Sequence, residues 1–133
     1  MAYEQWIAIK IVSENMTLTV RNTKLDPGKF HTAASKDEEI KPSQINGTTI
    51  KSGKNVWIFS SGRKDSPTGT KGSIDLYHGD VRVGIFDWNC PWGSKRNSFN
   101  WWPDASKEIY YTSMTGGRRS GAIGEVTIIA IKQ

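Results

Sequence analysis

The sequence predicts an all-β protein, either a sandwich or a barrel, from the spacing of its apolar residues and of its turns. Side-chain character alternates with a period of two, since Ile7, Ile9 and Ile11 are separated by Ala8 and Lys10. Clusters of turn-forming residues interrupt such runs roughly every 8–12 residues. No segment has the spacing of a helical stripe. About eight or nine short strands are therefore expected.

The predicted strands follow one another along the whole chain. They cover residues 6–11, 16–21, 56–59, 74–77, 81–86, 99–102, 108–112 and 122–132. The segment Ser13–Asn15 joins the first two strands and suits a hairpin, and His78–Asp80 predicts a tight turn whose glycine takes a positive φ. The two longest loops are predicted over Thr23–Ser35 and Ser60–Gly72, with a short turn within Ser35–Ile45.

Length and composition favour one domain over residues 1–133. Hydrophobic residues make up 36% and charged residues 23% of the chain, which is typical of neither a disordered nor a membrane-spanning protein. The start of the chain lacks the pattern of a secretory signal. Cys90 is the single cysteine, so no intrachain disulfide is expected. The net charge of +5 favours an anionic partner, with simple solubility as the alternative.

Tryptophan is the most unusual feature, with six in 133 residues. Four of them lie within fifteen residues of one another: Trp88, Trp92, Trp101 and Trp102. Four cations follow in the same half of the chain: Lys95, Arg96, Arg118 and Arg119. Aromatic rings beside cations suit a lipid headgroup, a single-stranded nucleic acid or a stacked sugar. We expect Trp57 and either Trp101 or Trp102 in the core, whereas burial and exposure both stay open for Trp92, which follows Pro and precedes Gly in a loop.

A catalytic or metal site is not predicted. His31 and His78 lie in polar segments typical of solvated histidines, and no Gly-x-Ser-x-Gly motif is present. Cys90 lies between Asn89 and Pro91 and is expected to be a buried, unreactive thiol. The acidic residues lack metal-ligand spacing, and the Gly-rich segment over 62–72 lacks the Gly-Lys-Ser/Thr of a phosphate loop. A non-enzymatic protein without a cofactor is therefore expected.

Several motifs in matching order resemble the aegerolysin family over nearly the whole chain. They are Met1-Ala-Tyr-x-Gln-Trp6, Gly28-Lys29 with Lys36-Asp-x-Glu39, Gly62-Arg63-x-Asp65 with Gly69-Thr-x-Gly72, Asp75-Leu76, Trp88-x-Cys-Pro-Trp-Gly-Ser-Lys95 and Ser120-Gly-Ala-Ile-Gly124. The stretch from Trp88 to Lys95 is the most specific of these. The resemblance implies a single-domain β-sandwich of mainly antiparallel strands that has no enzymatic activity.

The resemblance also implies membrane-lipid binding. Family members recognise a sphingolipid or other phospholipid headgroup, in some cases with a sterol, and several act with a larger perforin-like protein of the membrane-attack-complex type. Such pairs are haemolytic or insecticidal. We therefore expect a lipid-recognition component, released without a conventional signal peptide, that acts at a target-cell membrane; a glycan- or nucleic-acid-binding module is the alternative.

The predicted lipid-binding residues are Trp6, Lys29, Trp88, Trp92, Lys95 and Arg96. Lys95 is expected to engage phosphate, and Trp92 to pack on the lipid or brace its loop. An Arg63–Asp65 pair is expected to fix the central loop. The chain departs from sphingomyelin-preferring members at Pro27, where they carry Trp, and at Thr68, where an acidic residue is frequent. Lipid binding is expected to survive these changes, whereas a sphingomyelin–cholesterol preference does not follow.

Overall fold

A computed structural model of the protein describes residues 2–93 and 95–133, which form two facing β-sheets. Within these residues there are eleven strands: β1 (Trp6–Glu14), β2 (Leu18–Leu25), β3 (Lys29–His31), β4 (Glu39–Ile40), β5 (Thr49–Ile50), β6 (Lys54–Ser61), β7 (Thr70–His78), β8 (Val81–Cys90), β9 (Ser98–Pro103), β10 (Tyr110–Gly116) and β11 (Gly124–Lys132). A 3-10 turn spans Ala2–Glu4, and a short helix, α1, spans Pro42–Ile45. The short strands β3, β4 and β5 account for the excess over the predicted number.

The strand order confirms a β-sandwich of mainly antiparallel strands. One sheet has the order β10-β11-β1-β6-β3-β4, and the other has the order β5-β2-β7-β8-β9. The pair β1–β11 is parallel, with Ile7 opposite Gly124, and the other strand pairs of the described residues are antiparallel. No helix in the described part of the chain is long and apolar enough to cross a membrane.

The core lies between the two sheets, as the alternation of residues predicts. Ile7, Ile9 and Ile11 of β1 are fully buried, and Leu18 and Val20 of β2 meet them from the opposite sheet. Burying each side chain of this size stabilises the folded protein by about 1.5–3 kcal/mol relative to leaving it exposed. The alternating apolar residues of the first two strands therefore hold the two layers together.

The predicted hairpin between the first two strands is wrong. β1 and β2 belong to different sheets, so the segment Ser13–Asn15 carries the chain across the sandwich. Asn15 has a φ of 63°, and the Ser13 hydroxyl donates a 2.6 Å hydrogen bond to the carbonyl oxygen of Met16. Both strands present an apolar face to the same core from opposite sides, a pattern that sequence alternation cannot distinguish from a hairpin.

The predicted tight turn between β7 and β8 is confirmed. His78 pairs with Val81, and Gly79 has a φ of 58°. The pairing register shifts beside Leu76, which leaves Val83 without a partner on β7. A bulge of this kind reverses which residues face inward. Beyond it, the buried side chains of β8 are Phe86, Trp88 and Cys90.

Candidate lipid-binding site

Three connections meet at one end of the sandwich, which we call the loop end; their described residues are 26–28, 62–69, 91–93 and 95–97. They enclose the loop-end pocket, a cavity of about 490 Å³. Its lining residues are Pro27, Pro67, Thr68, Gly69, Thr70, Asn89, Cys90, Pro91, Trp92, Gly93 and Lys95. A cavity of this size is typical of small-ligand sites.

Close backbone approaches bring the three connections together. A methyl group built on Gly69 would lie 1.8 Å from the Cys90 carbonyl oxygen, so a larger residue would force the backbones apart. Gly28 has a φ of 115°, which favours glycine, and a methyl group there would lie 2.9 Å from Thr70 Cβ. Glycine at both positions therefore lets the loops converge.

A buried hydrogen-bond chain runs inward from Thr70, which lines the loop-end pocket. Trp88 Nε1 donates to Thr70 Oγ1 at 3.0 Å, Thr70 Oγ1 lies 2.7 Å from Ser60 Oγ, and Ser60 Oγ donates to the Lys29 carbonyl oxygen at 2.8 Å. Because the Ser60 hydroxyl donates its hydrogen to the Lys29 carbonyl oxygen, the Thr70 hydroxyl is the donor in the contact between the two hydroxyl groups. All three side chains are satisfied without water.

The structure corrects the prediction that Trp88 lines the site. Trp88 is 1% exposed and packs against Phe30 and Phe86, with ring centroids 6.1 Å and 5.9 Å away. It therefore cannot touch a lipid. Its burial allows it only to support the residues of the site from the core.

Trp92 and Lys95 lie at the rim of the loop-end pocket. The Trp92 side chain is 41% exposed, and it also lines an adjoining cavity of about 390 Å³ with Glu4, Gln5 and Gly93. Lys95 is exposed. Within residues 2–93 and 95–133 the pocket lining contains no carboxylate, so no negative charge of the lining opposes that of Lys95. Arg96 is exposed beside Lys95 but does not line the pocket.

Asn97, which the sequence did not single out, anchors the loop that carries these side chains. It is buried, and its amide group donates to the carbonyl oxygens of Arg118 at 2.9 Å and Gly121 at 3.0 Å. Its backbone N–H donates to the Arg119 carbonyl oxygen at 2.8 Å. These bonds tie residues 91–97 to the connection between β10 and β11.

Cys90 is buried in the same wall, as the sequence predicted. Burial raises the pKa of its thiol above the ordinary value, which disfavours the nucleophilic thiolate. Its Sγ lies 3.4 Å from the Gly121 carbonyl oxygen. Among the described residues, no group of His, Cys, Asp or Glu side chains is arranged to hold a metal ion.

The central loop is fixed by a different ion pair from the predicted one. Arg63 makes a two-pronged contact with Glu39 of β4, at 2.9 Å and 3.1 Å, rather than pairing with Asp65. Hydrogen bonding from Arg63 lowers the pKa of the Glu39 carboxyl. The predicted Arg63–Asp65 pair is therefore wrong. Both partners of the observed Arg63–Glu39 pair are exposed, so this pair contributes little to stability.

A cluster of aromatic and basic side chains adjoins the loop end on the outer face of the six-stranded sheet. Lys29 is buried, and its ammonium group lies 4.5 Å from the Tyr3 ring centroid and contacts the Tyr3 hydroxyl. Lys36 lies 5.9 Å from the Tyr3 ring and 5.5 Å from the ring of the half-buried Trp6. Burial lowers the pKa of Lys36. Tyr3 and Lys36 were not among the predicted site residues.

An apolar groove continues this face. It has a volume of about 320 Å³ and is lined by Trp6, Ala8, Trp57, Phe59 and Glu125. Trp57 is 39% exposed and stacks on Phe59 at 6.0 Å, so its predicted place in the core is wrong. Its neighbours on both faces of β6 are apolar, so the alternation could not identify the buried face. By contrast, Trp101 packs against the core, as was predicted for either Trp101 or Trp102.

The fold and the loop-end pocket define a small β-sandwich binding protein with an aromatic and cationic rim. The aegerolysin family model matches residues 4–133, and the chain belongs to the aegerolysin family. It is 35% identical to Asp-hemolysin of Aspergillus fumigatus, covering 96% of this chain and 92% of that protein. It is 35% identical to ostreolysin A6 of Pleurotus ostreatus, covering 100% and 99%.

Solved structures agree with this assignment. The crystal structure of IP-1A from Alcaligenes faecalis superposes with a TM-score of 0.93 at 42% identity, covering 99% of this chain and 94% of that one. The resemblance seen in the sequence motifs is thereby confirmed. Membership in a family with relatives named for haemolysis supports membrane-lipid binding as the function class.

Proposed function

We propose that the protein recognises a membrane-lipid headgroup at the loop-end pocket. The observation that carries the proposal is that the exposed residues Trp92 and Lys95 both line a cavity whose described lining contains no carboxylate. A lipid phosphate would pair with Lys95, while Trp92 would lie at the level of the headgroups, where amphipathic rings are favoured. Arg96 would add charge next to the same membrane.

The aromatic and basic cluster around Tyr3 extends the proposed membrane contact. Trp6 begins β1 at the same end of the sandwich, and Lys36 lies over its ring. A cation near an anionic bilayer surface contributes on the order of 1 kcal/mol. Lys29 is more suited to holding Tyr3 in place, because its ammonium group is buried against that side chain.

The identity of the headgroup depends on the pocket wall. Pro27 and Thr68, the two departures from sphingomyelin-preferring relatives, both line the loop-end pocket. Pro27 supplies no indole to cover a choline-like cation, and Thr68 supplies no negative charge to pair with it. A headgroup whose phosphate dominates recognition therefore fits better than one whose quaternary ammonium does.

We further propose that the chain is the lipid-recognition component of a pore-forming cytolysin or insecticidal pair, released from the producing cell and acting at a target-cell membrane with a perforin-like partner. The described strands pack both sheets around one apolar core, so releasing a strand pair to cross a bilayer would expose that core. Dye release from liposomes by the purified chain alone would contradict the need for a partner.

Liposome co-sedimentation tests the lipid-binding proposal. The panel has four vesicle compositions. One is phosphatidylcholine alone, and the others are phosphatidylcholine with sphingomyelin and cholesterol, with ceramide phosphoethanolamine, or with phosphatidylserine. We expect W92A and K95E to lose binding to whichever vesicle retains the wild type. The matched control is W102A, which removes an exposed tryptophan of β9 that does not line the loop-end pocket. Absence of binding to every vesicle, or equal binding by all variants, would overturn the proposal.

A further inference from the structure

The outer face of the five-stranded sheet carries a second cavity, which shares Asn89 with the loop-end pocket and otherwise has its own lining residues. This sheet-face groove has a volume of about 600 Å³ and crosses strands β2, β7 and β8 to the start of β9. Its polar lining includes Ser73, Asp87, Asn89 and Ser98. Ser73 is opposite Asp87, and Asn89 is opposite Ser98, so these groups form a continuous surface across neighbouring strands.

An exposed tryptophan flanks this groove in a fixed orientation. Trp102 is 54% exposed, the most of any large hydrophobic residue described, and its Nε1 donates a 2.7 Å hydrogen bond to Asp87 Oδ2. Asn100 Nδ2 donates to Asp87 Oδ1 at 3.1 Å. Asp87 thus holds the indole beside the groove. Orienting the ring before binding lowers the entropy lost when a ligand stacks on it.

The groups around Trp102 offer both donors and acceptors. A carboxylate has about four acceptor positions, and the two bonds to Asp87 leave others free. Asn89 adds an amide, and Ser73 and Ser98 add hydroxyl groups. A ligand with many hydroxyl groups on one edge and an apolar ring face matches this combination.

The charges of the sheet-face groove balance. Lys24 and Lys71 contribute two positive charges, while Asp26 and Asp87 contribute two negative charges. A nucleic-acid backbone requires a surplus of cations, which this groove lacks. A neutral ligand is favoured over a polyanion for the same reason.

We propose that the sheet-face groove binds a neutral oligosaccharide, with one sugar ring stacked on Trp102 and its neighbours hydrogen-bonded to Asp87, Asn89 and Ser98. Among the described lining residues the two sites share Asn89, whereas Trp102 and Asp87 lie outside the lining of the loop-end pocket. A protein with both sites would engage two components of a cell surface, a lipid headgroup and a glycan.

Isothermal titration calorimetry of the full chain with neutral oligosaccharides tests the site. The probes are lactose, maltotriose, cellotriose, mannotriose and chitotriose at millimolar concentration. We expect at least one to bind, with W102A weakening its affinity by about tenfold or more, in line with the loss of one stacked ring. W102F, which retains a ring but cannot donate to Asp87, is expected to bind with intermediate affinity.

Matched variants separate this site from the headgroup pocket. W57A removes an exposed tryptophan from the opposite sheet and is expected to leave sugar binding unchanged. W92A is expected to lose liposome binding and keep sugar binding, and W102A the reverse. Absence of heat with every sugar would overturn the proposal, as would undiminished sugar binding by folded W102A. Binding of oligothymidylate that weakens steeply with salt would instead assign the groove to nucleic acid.

Discussion

Trp88 is joined by a buried 3.0 Å hydrogen bond to Thr70, which lines the loop-end pocket. Trp88 belongs to β8 and Thr70 begins β7, so the bond ties together the two strands that enter the pocket wall. The Thr70 hydroxyl in turn donates a hydrogen bond to Ser60 Oγ on the opposite sheet. The position of the pocket is thereby fixed to the core.

The substitution T70V tests this link. Valine has nearly the same shape but leaves the Trp88 N–H without an acceptor, which costs about 1–3 kcal/mol for a buried donor. Urea unfolding should show that loss. The matched control is T112V, which removes the 2.9 Å acceptor of Trp101 Nε1 in a half-buried setting where water can replace it. Equal destabilisation by the two variants would contradict a special cost at Trp88.

The substitution G69A is expected to disturb the loop-end pocket through packing alone. The added methyl group would lie 1.8 Å from the Cys90 carbonyl oxygen, so the backbone must move, at a cost on the order of 1–3 kcal/mol. We expect lower stability and weaker liposome binding. G93A is the control, because open space surrounds that position and its φ of 91° adds strain without a clash. Full liposome binding by G69A would show that the pocket tolerates the displacement.

Much of the fold is readable from local pattern. The alternation at Ile7, Ile9 and Ile11 identified a buried face, and the turn at His78–Asp80 was located because its glycine has a specific conformational role. The parallel pairing of β1 with β11 was not predictable, since Ile7 and Gly124 are separated by almost the whole chain. The local sequence of a strand does not indicate which distant strand it pairs with.

The site was less readable, because tryptophan serves the core and the surface equally well. Trp57 and Trp88 both lie in strands, yet Trp57 is exposed and Trp88 is buried. The bulge at Val83 decides the case of Trp88, since it reverses the facing of the residues that follow. For Trp92, whose position between Pro91 and Gly93 places it in a loop, the sequence allowed either burial or exposure, and the structure shows it 41% exposed.

Cys90 is expected to resist alkylation in the folded protein. Its side chain is fully buried and its thiol pKa is raised by that burial, so thiolate is scarce and inaccessible. Iodoacetamide at neutral pH, followed by intact-mass measurement, should leave the native chain unmodified and label it after denaturation. Rapid labelling without denaturant would reveal opening of the wall between residues 91–97 and Gly121.

His31 is expected to make stability depend on pH. Its Nδ1 lies 2.8 Å from the Thr32 carbonyl oxygen, which can only accept, so Nδ1 carries the proton in the neutral ring. The predicted solvation of His31 is wrong, because its side chain is buried and Nε2 has no partner among the described residues, so a second proton there would meet no acceptor. Burial, assisted by the nearby charges of Lys36 and Lys29, lowers the pKa of His31 below its ordinary value.

The sign of the pH effect follows from that lowered pKa. The unfolded chain binds the His31 proton at a higher pH than the folded chain does, so protonation favours unfolding. The contribution to stability is complete above the unfolded pKa of about 6.5 and is lost as pH falls through that value toward the folded pKa. Urea unfolding of wild type and H31Q between about pH 7.5 and 5 isolates this effect from that of the carboxylates. The wild type should lose more stability than H31Q across that interval; parallel pH profiles would mean that His31 is as easily protonated in the folded protein as in the unfolded chain.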